Sequence, residues 1–211
     1  MSDSNMKSPE LANIEVKGMT RESFIMRGAI AAGSVYGLST VGPFVGQALA
    51  QGGGDVDILN FALTLEYLEA AFYTEALKQV GDLSGDVKEL VTTIRDDENE
   101  HVDAIAATIK KLGGKPVAKP GVDFGKAFAN QKSFLSTAVV FEDLGVGAYN
   151  GAGPSIKSKE VLAAAGSIVQ VEGRHAGIVR LLNGDKIAAS AFDKGVPAAE
   201  VQMKVKPFIK S

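Results

Sequence analysis

The chain contains no cysteine in its 211 residues. Without a thiol it can form no disulfide framework, iron–sulfur cluster, thiolate metal site or cysteine nucleophile. Any metal ion must therefore be held by carboxylate and imidazole groups. That ligand set suits iron, manganese or zinc better than copper(I).

A large excess of one charge is also missing, since 22 basic and 25 acidic residues leave a formal net charge of −3. There is no basic stripe and no block of like charges, which argues against nucleic acid as a partner. The remaining composition, 45% hydrophobic and 22% charged, is that of a globular chain. The length predicts one sizeable domain with an appendage.

Histidine is scarce, and its two positions are informative. His101 and His175 each stand three residues after a glutamate, Glu98 and Glu172. On a helix, three residues advance the chain by about 300° and about 4.5 Å, so each glutamate shares a face with its histidine. One such pair makes half of a two-metal site, and the second pair supplies the other half.

The first fifty residues differ from the rest of the chain. A polar segment with four basic residues precedes an uncharged stretch that closes on Ala48-Leu49-Ala50, a small-x-small pattern typical of signal-peptidase sites. Residues 20–25 resemble a twin-arginine export signal with glutamate in place of the second arginine. We predict export to the periplasm, cell envelope or medium after cleavage near Ala50. The alternative is a retained extension on a cytoplasmic protein.

Because this segment is rich in glycine and interrupted by a proline, a permanent membrane span is the weaker interpretation, and we expect no stable span in the mature chain.

Beyond a linker at residues 51–54, the pattern predicts an all-α fold. Apolar residues at helical spacing indicate four helices. Their approximate ranges are 55–80, 86–112, 133–151 and 156–183. The connection 113–132 is long for a compact bundle and fits a crossover along the length of the domain. We therefore predict a four-helix bundle over residues 55–185, with a long crossover between helices 2 and 3. Residues 186–211 are expected to form a short helix and a tail packed on the bundle.

The two halves of this bundle repeat each other. Glu66 lies 32 residues before the first Glu-x-x-His motif, and Glu142 lies 30 residues before the second. A tyrosine stands seven residues after each lone glutamate, Tyr73 and Tyr149. Seven residues is about two helical turns, so each tyrosine is expected on its glutamate's face. Two similar hairpins joined by a crossover would meet about a pseudo-twofold axis.

The pattern Glu, Glu-x-x-His, Glu, Glu-x-x-His on four successive helices resembles the ferritin-like di-iron and di-manganese carboxylate proteins. The stretch ILNFALTLEYLEAAFY is similar to the first helix of bacterioferritin. The blocks FEDLGVGAYNGA and AFDKGVPAAEVQMKVKPFI resemble the bacterial ferritin-like domain proteins that include desiccation-related proteins. The resemblance spans about residues 55–208.

This resemblance implies two metal ions, iron or manganese, and a role for each ligand. Glu66 and Glu142 would each bind one ion terminally, and Glu98 and Glu172 would bridge the pair. The remaining ligands would be His101 and His175. Four carboxylates would offset two divalent cations, and protons would replace the metal in an apo form.

Three assignments have alternatives. Glu69 lies one turn from Glu66 and competes with it as the first-helix ligand. Asp97, four residues before His101, either orients that imidazole or belongs to a solvated acidic run. The helix-four position that matches Asp97 holds Val171, so the halves are not chemically equivalent. The two tyrosines are interpreted as core residues before redox participants.

Two functions remain at this level. The first is an oxidoreductase of ferroxidase or peroxide-detoxifying type in stress protection, with dioxygen, peroxide or Fe(II) as the small partner. The second is a non-catalytic stress- or desiccation-related bundle with a structural or vestigial metal site. A homo-oligomer is compatible with the sequence, whereas the long crossover and extended tail argue against a storage cage. The small residues near the ligands, such as Gly145 and Gly147, allow either close helix approach or room for oxygen.

Overall fold

The computed structural model describes residues 54–210. The export signal and cleavage site predicted for residues 1–50 lie outside the described residues. Helices account for 72% of the described part, in which no strand is found, and the predicted all-α four-helix bundle is confirmed. None of the helices between residues 54 and 210 has the length and apolar character needed to cross a membrane.

Five α-helices form the described chain. They are α1 (Asp55–Gln79), α2 (Gly85–Lys111), α3 (Gln131–Ala152), α4 (Lys159–Asn183) and α5 (Ala198–Val205). Short 3₁₀ turns follow α3 at Gly153–Ser155 and α5 at Lys206–Phe208. The fourth helix begins later than the sequence pattern predicts, because the 3₁₀ turn intervenes and Ser158 caps the new helix by accepting from the Val161 backbone N–H.

The helix ends follow the signals in the sequence. Asn130 and Ser133 form a capping box at the start of α3. Gly184 ends α4 with a φ of 87°, in the left-handed region that favours glycine. The Asp55 carboxylate accepts 2.8 Å hydrogen bonds from the backbone N–H groups of Lys157 and Ser158. Asp55 therefore joins the first turn of α1 to the segment that leads into α4.

The bundle consists of two helical hairpins packed against each other. Helix α1 packs on α2 and α3 packs on α4, while α1 also contacts α3 and α2 contacts α4. The main core lies towards one end and is rich in aromatic rings. The ring of Phe72 lies at its centre, 4.8–5.4 Å from the ring centroids of Tyr73, Phe124, Phe128, Phe134 and Phe141.

The C-terminal segment packs on this core. Val201 and Val205 of α5 are buried in the same apolar cluster. The last described residues pair with the crossover, where Val122 and Ile209 form an antiparallel bridge. Upstream, the Val196 backbone N–H donates to the Gly147 carbonyl at 2.7 Å. Since a Cβ at Gly147 would lie 2.5 Å from the Val196 side chain, the absence of a side chain at this glycine allows the tail to pack closely on α3.

Replacing Phe72 by alanine should destabilise the protein by about 3–5 kcal/mol, because it removes a fully buried ring and leaves a cavity. Chemical denaturation of the parent and variant measures the difference. Phe192→Ala is the matched control, since that ring is 82% exposed and its loss should change stability by less than about 0.5 kcal/mol. Equal effects of the two changes would contradict the assigned core.

Candidate metal centre

Four glutamates meet in the middle of the bundle, one from each long helix. Their side chains have no solvent exposure. They are Glu66 on α1, Glu98 on α2, Glu142 on α3 and Glu172 on α4. Burying one unpaired carboxylate is costly, and burying four together requires protons or cations to balance the charge.

The two histidines complete two groups of donor atoms. Within each group, the ligand atoms lie within 4.8 Å of one another. One group holds Glu66, Glu98, His101 and Glu172, and the other holds Glu98, Glu142, Glu172 and His175. Because Glu98 and Glu172 belong to both groups, the arrangement matches two neighbouring cations with shared carboxylates. The structure thus brings together all six residues that the sequence singles out as ligands.

The Nδ1 atom of His101 lies close to three carboxylates. Its Nδ1 lies 3.0 Å from Glu172 Oε1, and 3.3 Å from both Glu66 Oε2 and Glu98 Oε2. The three acceptors come from three helices, so this nitrogen lies at a point where the hairpins converge. A neutral imidazole could present a lone pair to a cation at the same point.

His175 is held at both ring nitrogens. Its Nδ1 lies 3.0 Å from Glu98 Oε1, and its Nε2 lies 3.0 Å from Asp97 Oδ2. Asp97 therefore contacts the imidazole of α4, whereas the sequence suggested the imidazole of its own helix, His101. The reason is that α4 packs against α2 and places the His175 ring across two consecutive α2 residues. This contact favours the tautomer with Nε2–H, which leaves the Nδ1 lone pair facing the centre.

The tyrosines contact the glutamates of the opposite hairpin. The Tyr73 hydroxyl donates to Glu142 Oε1, and the Tyr149 hydroxyl donates to Glu66 Oε1. Such reciprocal contacts require α1 and α3 to run antiparallel. The seven-residue spacing within each helix identified the tyrosines but not these partners. Both tyrosines are therefore more than apolar core residues, because each fixes one oxygen of a predicted terminal ligand.

The remaining carboxylate oxygens show whether metal ions fit. Within residues 54–210, four buried oxygens have no hydrogen bond of good geometry. They are Glu66 Oε2, Glu142 Oε2 and both oxygens of Glu172. Two of them, Glu66 Oε2 and Glu172 Oε1, lie 3.3 and 3.0 Å from His101 Nδ1, a single nitrogen that can donate only one proton. Leaving a buried polar atom unpaired costs about 1–3 kcal/mol, so four of them in one place call for another partner. Two divalent cations would supply that partner and cancel the four negative charges, and the donor set therefore fits a metal pair.

Comparison with known proteins agrees with this geometry. A family model described as a ferritin-like domain matches residues 54–185, which is more than half of the chain and contains all six donors. The chain belongs to the ferritin-like domain family. No curated protein matches it. The resemblance to the ferritin-like superfamily is confirmed, while the closer likeness to desiccation-related proteins stays a prediction.

Burial dominates the ionisation of this ferritin-like site. It raises the pKa of Glu98 and Glu142 well above the usual range, and the neighbouring Glu172 carboxylate raises both further. Burial also raises the pKa of Glu172, with Glu66 adding to the effect. For His101, burial lowers the pKa, but hydrogen bonds to the surrounding carboxylates outweigh it and raise the value from 6.5 to about 12. Without metal, the site holds protons.

A fifth buried glutamate, Glu69, lies beside the site. The donor groups of the ferritin-like domain contain Glu66 and not Glu69, its sequence alternative. Glu69 is nevertheless only 3% exposed, and its carboxylate lies next to Gly145 and Glu172. Only its position one turn after Glu66 pointed to it, and that spacing could not show that both residues are buried.

The metal-free protein should lose stability as the pH rises. Glu98, Glu142, Glu172 and His101 all have raised pKa values in the folded chain, so unfolding releases their protons. The free energy of unfolding should fall from about pH 6 to about pH 9, by about 1.4 kcal/mol per pH unit for each proton released. Urea unfolding of chelator-treated protein measures the slope.

The metal-loaded protein is the reference for this experiment. Bound cations require deprotonated ligands, so stabilisation by metal should grow over the same pH range. If the free energy of unfolding of the metal-free protein rises or stays constant as the pH increases, these groups do not hold protons in the folded state.

Proposed function

We propose that this ferritin-like protein binds two iron or manganese ions and reacts with dioxygen or peroxide, as a ferroxidase or peroxide-removing protein in stress protection. The observation that supports this proposal is the sharing of Glu98 and Glu172 by two donor groups. A site for a single ion would need only one of these groups. Two ions sharing carboxylates suit an oxidant that accepts two electrons.

The overall reaction balances with Fe(II) as the substrate. Two Fe(II) ions give one electron each to dioxygen, which takes up two protons and becomes hydrogen peroxide. With hydrogen peroxide as the oxidant, the O–O bond breaks and two protons are consumed to give two water molecules. A bound metal pair would supply the two-electron exchange.

The protein's own residues fix the geometry for this reaction. Tyr73 and Tyr149 each hold one carboxylate oxygen of a predicted terminal ligand, which leaves the other oxygen directed to the centre. Asp97 orients the ring of His175 through Nε2. Complete burial of the four glutamates excludes bulk water, so the electrostatic interactions within the site are strong.

The same burial favours a second candidate function, a bundle stabilised by structural ions. Of the six donors, only His101 and His175 have any exposed surface, 8% and 5%. A site enclosed in this way can hold cations without admitting a substrate. The two candidates differ in turnover, because a structural pair would raise stability without oxidising added Fe(II).

Each histidine should be required for metal binding. The parent is expected to bind about two equivalents of iron or manganese, and His101→Ala and His175→Ala should each lose at least about one equivalent. Elemental analysis of purified protein measures the content. Asn99→Ala is the control on α2, since that side chain is exposed and, in the described part of the chain, donates only to the Arg95 carbonyl. Parental metal content in both histidine variants would overturn the ligand assignment.

Oxidation of added Fe(II) separates the two candidate functions. The parent should oxidise Fe(II) in the presence of dioxygen or peroxide faster than the His101→Ala/His175→Ala double variant does. Stopped-flow absorbance of the Fe(III) product, with oxidant consumption followed in parallel, measures the rates. If the parent binds metal and gains thermal stability but oxidises Fe(II) no faster than the double variant, the structural candidate is supported.

A further inference from the structure

A narrow apolar cleft lies between α1, α3 and the N-terminal part of α4. Ten residues line it, and nine of them are alanine, leucine, isoleucine or phenylalanine. The tenth is Tyr149, whose hydroxyl donates to Glu66 Oε1. One wall of the cleft is therefore a side chain that contacts a predicted metal ligand.

Helical spacing places the cleft on the faces that carry the glutamates. Ala62, which lines the cleft, lies four residues before Glu66 on α1. Ala165, which also lines it, lies seven residues before Glu172 on α4. Intervals of four and seven residues bring side chains to one face of a helix. The cleft thus lies one to two turns from the metal centre, at the end of the bundle where α1 and α4 begin.

The exposure of the lining residues shows that the cleft leads from the surface into the bundle. Ala152, Ile156 and Ala165 are half-buried and form its rim. Ala62 and Ala148 lie deeper, since they are only 9% and 3% exposed. A small molecule that enters between the rim residues therefore reaches side chains that bulk solvent hardly contacts.

The free volume of the cleft suits a small apolar molecule. The centre of a water-sized sphere can reach about 20 Å³ inside it. About 10–15 Å³ of such space holds one water molecule, but a buried water also needs about two to four polar partners. The one polar group among the lining side chains is the Tyr149 hydroxyl, which already donates to Glu66. An apolar diatomic gas gives up no hydrogen bonds on entering such a space.

The histidine side of the site has the opposite character. His101 on α2 and His175 on α4 are the donors with exposed surface, and the Asp97 carboxylate lies beside His175. None of the ten residues that line the cleft comes from α2. One polar and one apolar side of the bundle thus lead to the metal centre. Hydrogen peroxide suits the polar side, because burying its hydroxyl groups without partners is costly, whereas dioxygen suits the apolar side.

We propose that this cleft is a binding and entry site for dioxygen, and that the small side chains of Ala152 and Ala165 keep it open. The inference rests on the proposed function, since it names dioxygen as the oxidant and Tyr149 as the side chain past which dioxygen reaches the metal pair. Hydrogen peroxide approaches from the histidine side instead.

The first test detects dioxygen in the cleft without any reaction. Dissolved dioxygen is paramagnetic and speeds the relaxation of nearby protons, so methyl relaxation is measured by NMR with and without dioxygen pressure. The sample is full-length protein treated with chelator, in which no paramagnetic ion remains. The Ala62 and Ala148 methyls should respond at least about threefold more than those of Ala76 and Ala138, which are buried in the main aromatic core. A gadolinium chelate, too large for the cleft, corrects for ordinary exposure.

The second test narrows the cleft from two helices. Ala165→Leu and Ala152→Leu each add three carbon atoms at the rim, more than the free volume can hold beside a gas molecule. The ratio of the Fe(II) oxidation rate with dioxygen to the rate with peroxide should fall by at least about fivefold in each. Ala163→Leu, the same substitution at an exposed position of α4, should keep the parental ratio. Circular dichroism and thermal melting verify the fold, and elemental analysis verifies the metal content.

The outcomes separate this inference from the proposed function. Equal dioxygen responses of the cleft and core methyls overturn the cleft as a dioxygen site and leave the metal pair intact. A parental rate ratio in both folded Leu variants also overturns it. A parent that oxidises Fe(II) with neither oxidant overturns the proposed function, and with it the role of the cleft, even when the methyl relaxation shows that dioxygen enters.

Discussion

The mutual repulsion of four carboxylates buried in an apolar bundle is the constraint on which this structure depends. Apolar packing alone cannot stabilise that arrangement, because each charge loses its hydration when the hairpins close. Protons can relieve the repulsion in the metal-free protein, and cations can relieve it in the loaded one. The aromatic core around Phe72 and the tail packed on it supply the apolar burial that holds the helices together against this cost.

The pseudo-twofold symmetry of the site is close but incomplete. The tyrosine contacts are reciprocal, since each tyrosine donates to a glutamate of the other hairpin. The outer contacts of the imidazoles are not, because Asp97 holds His175 while the matching position on α4 is Val171. A carboxylate on the outer nitrogen makes an imidazole a more basic ligand. The two halves therefore offer a cation different donors despite the same ligand count.

Periodicity and spacing were sufficient to predict the four helices, the crossover and the two Glu-x-x-His pairs, and the resemblance to ferritin-like proteins added the choice of Glu66 and Glu142. The pairs depend on intervals within one helix, such as the three residues from Glu98 to His101. Contacts between helices could not be predicted in the same way, because they depend on how each helix is rotated about its axis. For this reason His101 was the wrong partner for Asp97, which contacts His175. The partners of the tyrosines and the burial of Glu69 were not predicted. The late start of α4 results from a local 3₁₀ turn, which the spacing of apolar residues does not predict.

The tyrosine contacts also limit how the site can adapt. One oxygen of Glu66 and one of Glu142 each accept a hydrogen bond from a phenol, which uses one of that oxygen's two lone pairs and favours binding of a cation through the other oxygen. Each outer carboxylate would then give a bound cation a single oxygen, and the number of protein atoms around each cation would stay small. Coordination positions would be left for small exogenous molecules, and among the six donors only the two histidines have any exposed surface at which such molecules could approach.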